Sequence, residues 1–194
     1  MSYHIYTTEG IILKRTSFGE ANLILYILTF DLGLIIASAR SARLAVSKLR
    51  PALQEYTNVT LSCVKGKGGW KVTNVVALQN FYFDHPEYTH KTLAHIVSLL
   101  IKMMPGEASN PDVFKIIKEA FTHIKNLKEE SVDNFEILVV LRVLFELGYV
   151  DKSSVSEKYI DAELNFDDEF LSGISTDKIK LVSVINNSLK ASQL

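Results

Sequence analysis

Nine of the 21 lysines and arginines lie in the first 80 residues, at Lys14, Arg15, Arg40, Arg43, Lys48, Arg50, Lys65, Lys67 and Lys71, against four carboxylates. Guanidinium and ammonium groups at such density are the footprint of a surface for phosphates. Residues 81–194 reverse the sign, with twelve cations and eighteen carboxylates. The net charge of −1 therefore hides two oppositely charged parts. Arg40, Arg43, Lys48 and Arg50 are the first candidates for phosphate contact, then Lys14 and Arg15, then Lys65, Lys67 and Lys71. The run KGKGG ahead of Trp70 lets backbone approach a phosphate, and Trp70 offers an aromatic face on which a base could stack or, equally, a plug for a core.

Other chemistry is excluded in turn. A single cysteine, Cys63, rules out an internal disulfide and a cysteine-built zinc site, and suits a reducing cytoplasm. His85, His90 and His95 are five apart, which turns helical side chains about 140° from one another, unlike the i, i+4 pairs of helical metal sites. The run DAELNFDDE fails as a calcium loop, because counting from Asp161 puts Phe166 where glycine is needed and Ser172 where glutamate is needed. There is no GxxxxGK[ST] and no GxSxG, so a non-enzyme without cofactor, metal or catalytic residue is expected. The start, MSYHIYTTEG, is not a secretory signal, and the run Ile137 to Leu147 is interrupted by Arg142 and Glu146 and falls short of a membrane span.

These side chains must be positioned by strands. Apolar runs at Gly10 to Lys14, Asn22 to Phe30 and Leu34 to Ala39, separated by Gly19 and Gly33, predict three strands, the third delivering Arg40 and Arg43. Pro51 interrupts Ser41 to Leu53, predicting a short helix or structured loop on a rim. A fourth strand alternates through Val59, Leu61 and Cys63. A fifth, Trp70 to Leu78, is expected to bury Val72, Val76 and Leu78 and expose Lys71, Thr73 and Gln79. Five short strands in about 80 residues suit a closed barrel of the OB type.

From Phe81 the period becomes helical. Leu93, Ile96, Val97, Leu100 and Met104 mark one helix. Asn110 and Pro111 open a second with Phe114, Ile117, Phe121 and Ile124 as its stripe, and a third runs from about Val132 to Leu147, closed by Gly148. Residues 151–177 hold eight carboxylates and two lysines and read as loop with marginal helix. A last helix, Thr176 to Leu189, would pack through Ile179, Val182, Ile185 and Leu189. The expected fold is α+β: an OB-fold β-barrel over residues 1–80 and an α-helical bundle over 81–194.

The segments EGIILKR, FGEANLILYILTFDLGLI, ASARSAR, the Ser47 to Gln54 run, KGKGGWKVTNVVALQNF and LRVLFELGYV occur in the order and at the spacings of the bacterial RecO family, which residues 5–150 resemble. The resemblance implies an OB domain that binds single- and double-stranded DNA and anneals complementary strands. It also implies joint work with RecR to load RecA at gaps coated by single-strand-binding protein, in the cytoplasm at the nucleoid. That family commonly carries four zinc-binding cysteines after its LGY element. Here the corresponding stretch, DKSSVSEKYIDAELNFDDEF, has none, and Ser41, Leu44 and Val46 stand where the family tends to have glycine and further cations.

About five phosphate contacts would give a slope of roughly −3.5 for log K against log salt on single strands. Contacts to backbone and ring faces predict little sequence preference. Among protein partners, the acidic, apolar C-terminal tail of single-strand-binding protein would need an apolar groove edged by a cation, with Lys91, Lys102, Lys115, Lys118 and Arg142 as candidates. Two other readings remain open: a protein-interaction adaptor whose barrel has given up DNA, and an RNA-binding OB module.

Overall fold

The computed structural model describes residues 4–83, 85–160 and 166–192. The fold is α+β, and the chain divides into two compact units: residues 1–84 with 104–114, and residues 85–103 with 115–194.

In the first unit, β1 (Ile5–Phe18), β2 (Asn22–Thr29), β3 (Gly33–Ala39), β4 (Thr57–Gly66) and β5 (Gly69–Asn80) close into a barrel in the order β1-β2-β3-β5-β4. β1 pairs with both β2 and β4, and the one parallel pairing joins Ala37 to Trp70 between β3 and β5. This is OB connectivity. Ile12, Leu25, Ile27, Ile35, Leu61, Cys63 and Trp70 belong to the barrel core. Side chains alternate across a strand, so Leu23, Leu25 and Ile27 face inward while Ile24 and Tyr26 face outward. Closure is tight at Gly10, where an added Cβ would lie 2.9 Å from both Ile27 and Leu61.

Four of the five strands are longer than the hydrophobic runs predicted, and β2 ends one residue earlier, at Thr29. β1 has 14 residues, five beyond Leu13 being exposed, because ladder hydrogen bonds continue where burial has ended. The fifth strand also changes phase. Thr73 and Leu78 are extra residues opposite β4, at the irregularities between Ser62 and Cys63 and between Asn58 and Val59. Val72 and Val75 are consequently buried, and Val76 and Leu78, expected inside, are each 55% exposed. The Ser41 to Leu53 rim is a chain of turns, not a helix.

Residues 104–114 cover one edge of the barrel. The Leu34 N–H donates to the Gly106 carbonyl (2.9 Å), the Ser109 hydroxyl to the Phe30 carbonyl (3.2 Å), and Phe30 meets Phe114 edge-on with centroids 5.7 Å apart. Gly33, at φ +71°, makes the close approach possible, since a Cβ there would sit 2.3 Å from the Ala108 carbonyl oxygen.

The helices are α1 (His90–Met103), α2 (Pro111–His123), α3 (Val132–Glu146) and α4 (Asp168–Ala191). Asn110 Oδ1 caps α2 by accepting the Val113 N–H at 3.0 Å. α3 ends in a Schellman motif: Tyr149 N–H donates to the Leu144 carbonyl (2.8 Å) and Gly148 N–H, at φ +78°, to that of Phe145 (2.9 Å).

In the second unit α3 packs on α1 and α4. The C-terminal part departs from the sequence expectation. α4 begins eight residues before Thr176 and is 24 residues long, and its buried positions are Leu171, Ile174, Leu181, Ile185 and Ser188, whereas Ile179 is 88% exposed. The acidic residues 168–177 are helical because Leu171 and Ile174 bury there and Asn134 holds the turn, its amide donating to the Leu171 carbonyl (3.0 Å) and Ser175 hydroxyl (2.9 Å). Of the acidic run compared with a calcium loop, residues 161–165 lie outside the described residues. Among the described residues no helix is long and apolar enough to cross a membrane.

Candidate nucleic-acid interface

Arg15, Arg43 and Arg50 line one groove of about 310 Å³ in the barrel unit, together with Ser17, Leu23 and Ala42. Local chain geometry produces this. β1 carries an extra residue at Leu13, so that Lys14 pairs with Tyr26, Arg15 with Leu25 and Ser17 with Leu23. Because Leu23 and Leu25 belong to the core face, Arg15 and Ser17 continue that inner face beyond the packed interior. They form the wall of a mouth.

The opposite wall comes from the rim. Ser41 takes a left-handed conformation (φ +53°), with its N–H held by Asn22 Oδ1 at 2.9 Å. Arg43 is tethered twice: its backbone N–H donates to the Ala21 carbonyl (2.9 Å) and its Nη1 to the Gly19 carbonyl (3.0 Å). Successive turn bonds, Ser47 N–H to Leu44 O and Arg50 N–H to Ser47 O, bring Arg50 round to the groove. Three guanidinium groups around one concavity repel one another. An oxyanion relieves that repulsion and accepts their forked donors.

The remaining cations are elsewhere. Lys14 lies outside the barrel with its Nζ 6.0 Å from the Tyr26 ring centre. Tyr26 pairs with Ile36, and a neighbouring row reads Thr16, Ile24, Ser38, Lys71 across four strands. Lys14 and Lys71 thus flank an outer face on which Ile36 is 53% exposed. Arg40, Lys48 and Lys67 are exposed and do not line the groove.

Lys65 is occupied. Its ammonium pairs with Glu107 and sits 5.4 Å from the Trp70 ring centre. Glu107 is held below its ordinary carboxylate range first by the Lys65 hydrogen bond and, more weakly, by the Trp70 indole N–H. Among the described residues that N–H makes no contact of full hydrogen-bond geometry. Trp70 itself is 5% exposed, with Tyr6 edge-on at 5.2 Å. Its ring is packed against protein, not open to a base.

The sequence pointed to Arg15, Arg43 and Arg50 but not to Ser17 and Leu23, whose only signal is the register of β1 on β2, nor to Ala42 of the rim turns. Among the described residues there is no group of three His, Cys, Asp or Glu side chains placed to hold a metal. With Cys63 alone in the sequence and buried in the barrel, a four-cysteine zinc site has no ligands here.

A closed five-stranded barrel of OB connectivity with an arginine-lined mouth, followed by helices, defines an OB-domain protein of the α+β class. Comparison with known proteins adds a likeness: residues 1–81 match the model described as Recombination protein O N terminal. The chain is similar to the DNA repair protein RecO of Dehalococcoides mccartyi strain 195, at 32% identity over 66% of this chain and 51% of that protein. It is similar to that of Heliobacterium modesticaldum at 27% over 78% and 54%, and to that of Clostridium acetobutylicum at 27% over 89% and 71%. The likeness to RecO proteins thus takes in the barrel, residues 1–81, and reaches into the helices. The chain spans about half the length of the first of these relatives.

Proposed function

We propose that this chain serves DNA repair as a recombination mediator: it binds single- and double-stranded DNA, promotes annealing and, with RecR, helps load RecA at gaps coated by single-strand-binding protein. The observation that carries this reading is the convergence of Arg15, Arg43 and Arg50 on one groove. Arginines there neutralise phosphates of two strands whose mutual repulsion opposes pairing. Pairing is then downhill, and no bond is made or broken.

The test is annealing of complementary oligonucleotides by the wild type and by the Arg15→Ala, Arg43→Ala, Arg50→Ala variant. Loss of three phosphate contacts lowers the magnitude of the salt slope on single strands by about 2 and slows annealing. An undiminished rate defeats the assignment.

Charge also favours one groove of the helical unit for the acidic tail of single-strand-binding protein. A groove of about 540 Å³ is lined by Lys115, Lys118, Lys125 and His123, with Phe166 and, among the described residues, a single carboxylate, Glu119. A second groove, beside Lys91 and Lys178, carries three carboxylates, Glu129, Asp133 and Glu136, which repel such a ligand. Charge reversal at Lys118 and Lys125 is expected to abolish binding of a labelled tail peptide, while reversal at Lys91 is not.

A further inference from the structure

Three aromatic rings at the exit of the barrel are unexplained by its core. Tyr56 is a non-glycine residue at φ +60°, a conformation that costs of order 1 kcal/mol or more and persists only where surroundings enforce it. It stacks on Tyr82, with ring centres 5.7 Å apart and planes at 23°, and Tyr82 meets Phe83 edge-on at 5.8 Å. Tyr82 is 41% and Phe83 78% exposed. Large apolar surface presented in this way is a recognition feature more than a packing one.

The backbone that carries Tyr82 and Phe83 is braced. Asn80 Oδ1 accepts the N–H groups of Tyr82 (3.0 Å) and Phe83 (3.2 Å), while its amide donates to the Glu55 carbonyl (3.2 Å) and the Thr57 hydroxyl (2.7 Å). The same bracket adjoins the arginine mouth. Glu55 Oε1 accepts the Arg15 N–H at 2.8 Å, and the Tyr56 N–H donates to the Ile12 carbonyl at 2.7 Å.

We propose that Tyr82 and Phe83, backed by Tyr56, are a stacking step for unpaired bases of a single strand whose phosphates lie on Arg15, Arg43 and Arg50. The proposal rests on the DNA-binding reading and adds to it which part of the strand is gripped beyond the phosphates. The Glu55 carboxylate beside the step disfavours a phosphate there by like charge, so a base, not the backbone, takes that position. Base stacking on exposed rings is sequence-tolerant and adds affinity without counterion release.

That difference supplies the test. The full chain and its Tyr82→Ser, Phe83→Ser variant are titrated with a labelled oligothymidylate and with an abasic deoxyribose-phosphate strand of equal length, each over a salt series. The variant is expected to bind oligothymidylate roughly 5- to 150-fold more weakly, to bind the abasic strand as the wild type does, and to keep the wild-type salt slope. Unchanged affinity for oligothymidylate overturns the proposal and leaves the rings to a protein partner. Equal losses on both strands overturn it too, because the rings would then act on the fold or the backbone path. A wild type with no salt-dependent affinity for either strand removes the DNA-binding reading itself, whereas salt-dependent binding that ignores bases removes only the stacking step.

Discussion

Arg15 stands directly across from Leu25 in the β1–β2 ladder, on the side that faces the barrel core, although alternation from Ile12 would have put Lys14 there. One extra residue at Leu13 makes the exchange. Two adjacent cations of equal formal charge thereby acquire different surroundings, Arg15 in a groove with two more arginines and Lys14 over an outward tyrosine.

Their substitutions should therefore differ. Arg15→Ala is expected to weaken single-strand binding at low salt and lower the magnitude of the salt slope by about 0.7, the share of one phosphate. Lys14→Ala should change both less. Equal effects in paired titrations would mean that the groove has no privilege over the outer face.

Gly33 combines φ +71° with a Cβ position 2.3 Å from the Ala108 carbonyl oxygen, whereas Gly19 has φ +59° and nothing within 4 Å. Gly33→Ala must strain the turn and push residues 104–114 off the barrel edge. A loss of roughly 3 kcal/mol or more is expected in urea unfolding. Gly19→Ala pays only for the backbone conformation and should lose about 1 kcal/mol. Similar midpoints for the two variants would contradict the packing of 104–114 described above.

Much of the barrel was legible because an apolar alternation such as Val59, Leu61, Cys63 reports directly on burial. The register was not. Leu13, Thr73 and Leu78 look like ordinary strand residues, and their role as extra residues comes only from the partner strand. Arg43 and Arg50 were found by charge alone, but charge equally named Lys65, which a carboxylate 42 positions away engages. In α4 the acidic composition of 168–177 masked Leu171 and Ile174, which bury in a helix that packs on the distant α3, where Asn134 bonds the Leu171 carbonyl.

Lys65 gives a prediction opposite in kind to that for Arg15. Because Glu107 already neutralises it, Lys65→Met should leave the salt slope of DNA binding nearly unchanged. The Glu107 carboxyl, lowered in the folded protein from an ordinary 4.5, should move up toward that value in the variant. A lowered folded pKa stabilises above the unfolded value and is lost as pH falls through the folded one, so any acid effect of this pair lies below about pH 4.5. A carboxyl-resolved NMR titration of both proteins reads it, and a Glu107 midpoint that does not rise in the variant disproves the pairing.

Cys63 lies on β4 with no exposed surface, and burial raises its thiol to about 11. At pH 8 only about one molecule in a thousand carries the reactive thiolate, even before access is considered. Disulfide-forming reagents should leave the native thiol untouched over hours and titrate one equivalent in denaturant. Fast labelling without denaturant would show that the barrel opens far more readily than its closed ladder implies.

Asn134 joins α3 to α4 by donating from one amide group to two acceptors, the Leu171 carbonyl and the Ser175 hydroxyl, at a position 7% exposed. Asn134→Ala removes the donor and should cost about 1–3 kcal/mol in urea unfolding at pH 7. Asn134→Asp is more telling because it keeps the shape and replaces the donor with an anion facing the carbonyl. Burial and that carbonyl both disfavour the charged form, so the introduced carboxyl has its folded pKa raised above about 4. The folded state then holds the proton more tightly than the unfolded one, and stability falls as pH rises from the unfolded value through the folded one. The aspartate variant should be less stable than the alanine variant at pH 7 and approach or pass it near pH 4, where its protonated oxygen again donates. An aspartate penalty that does not change with pH would show that residue 134 is solvated and that something else fixes the start of α4.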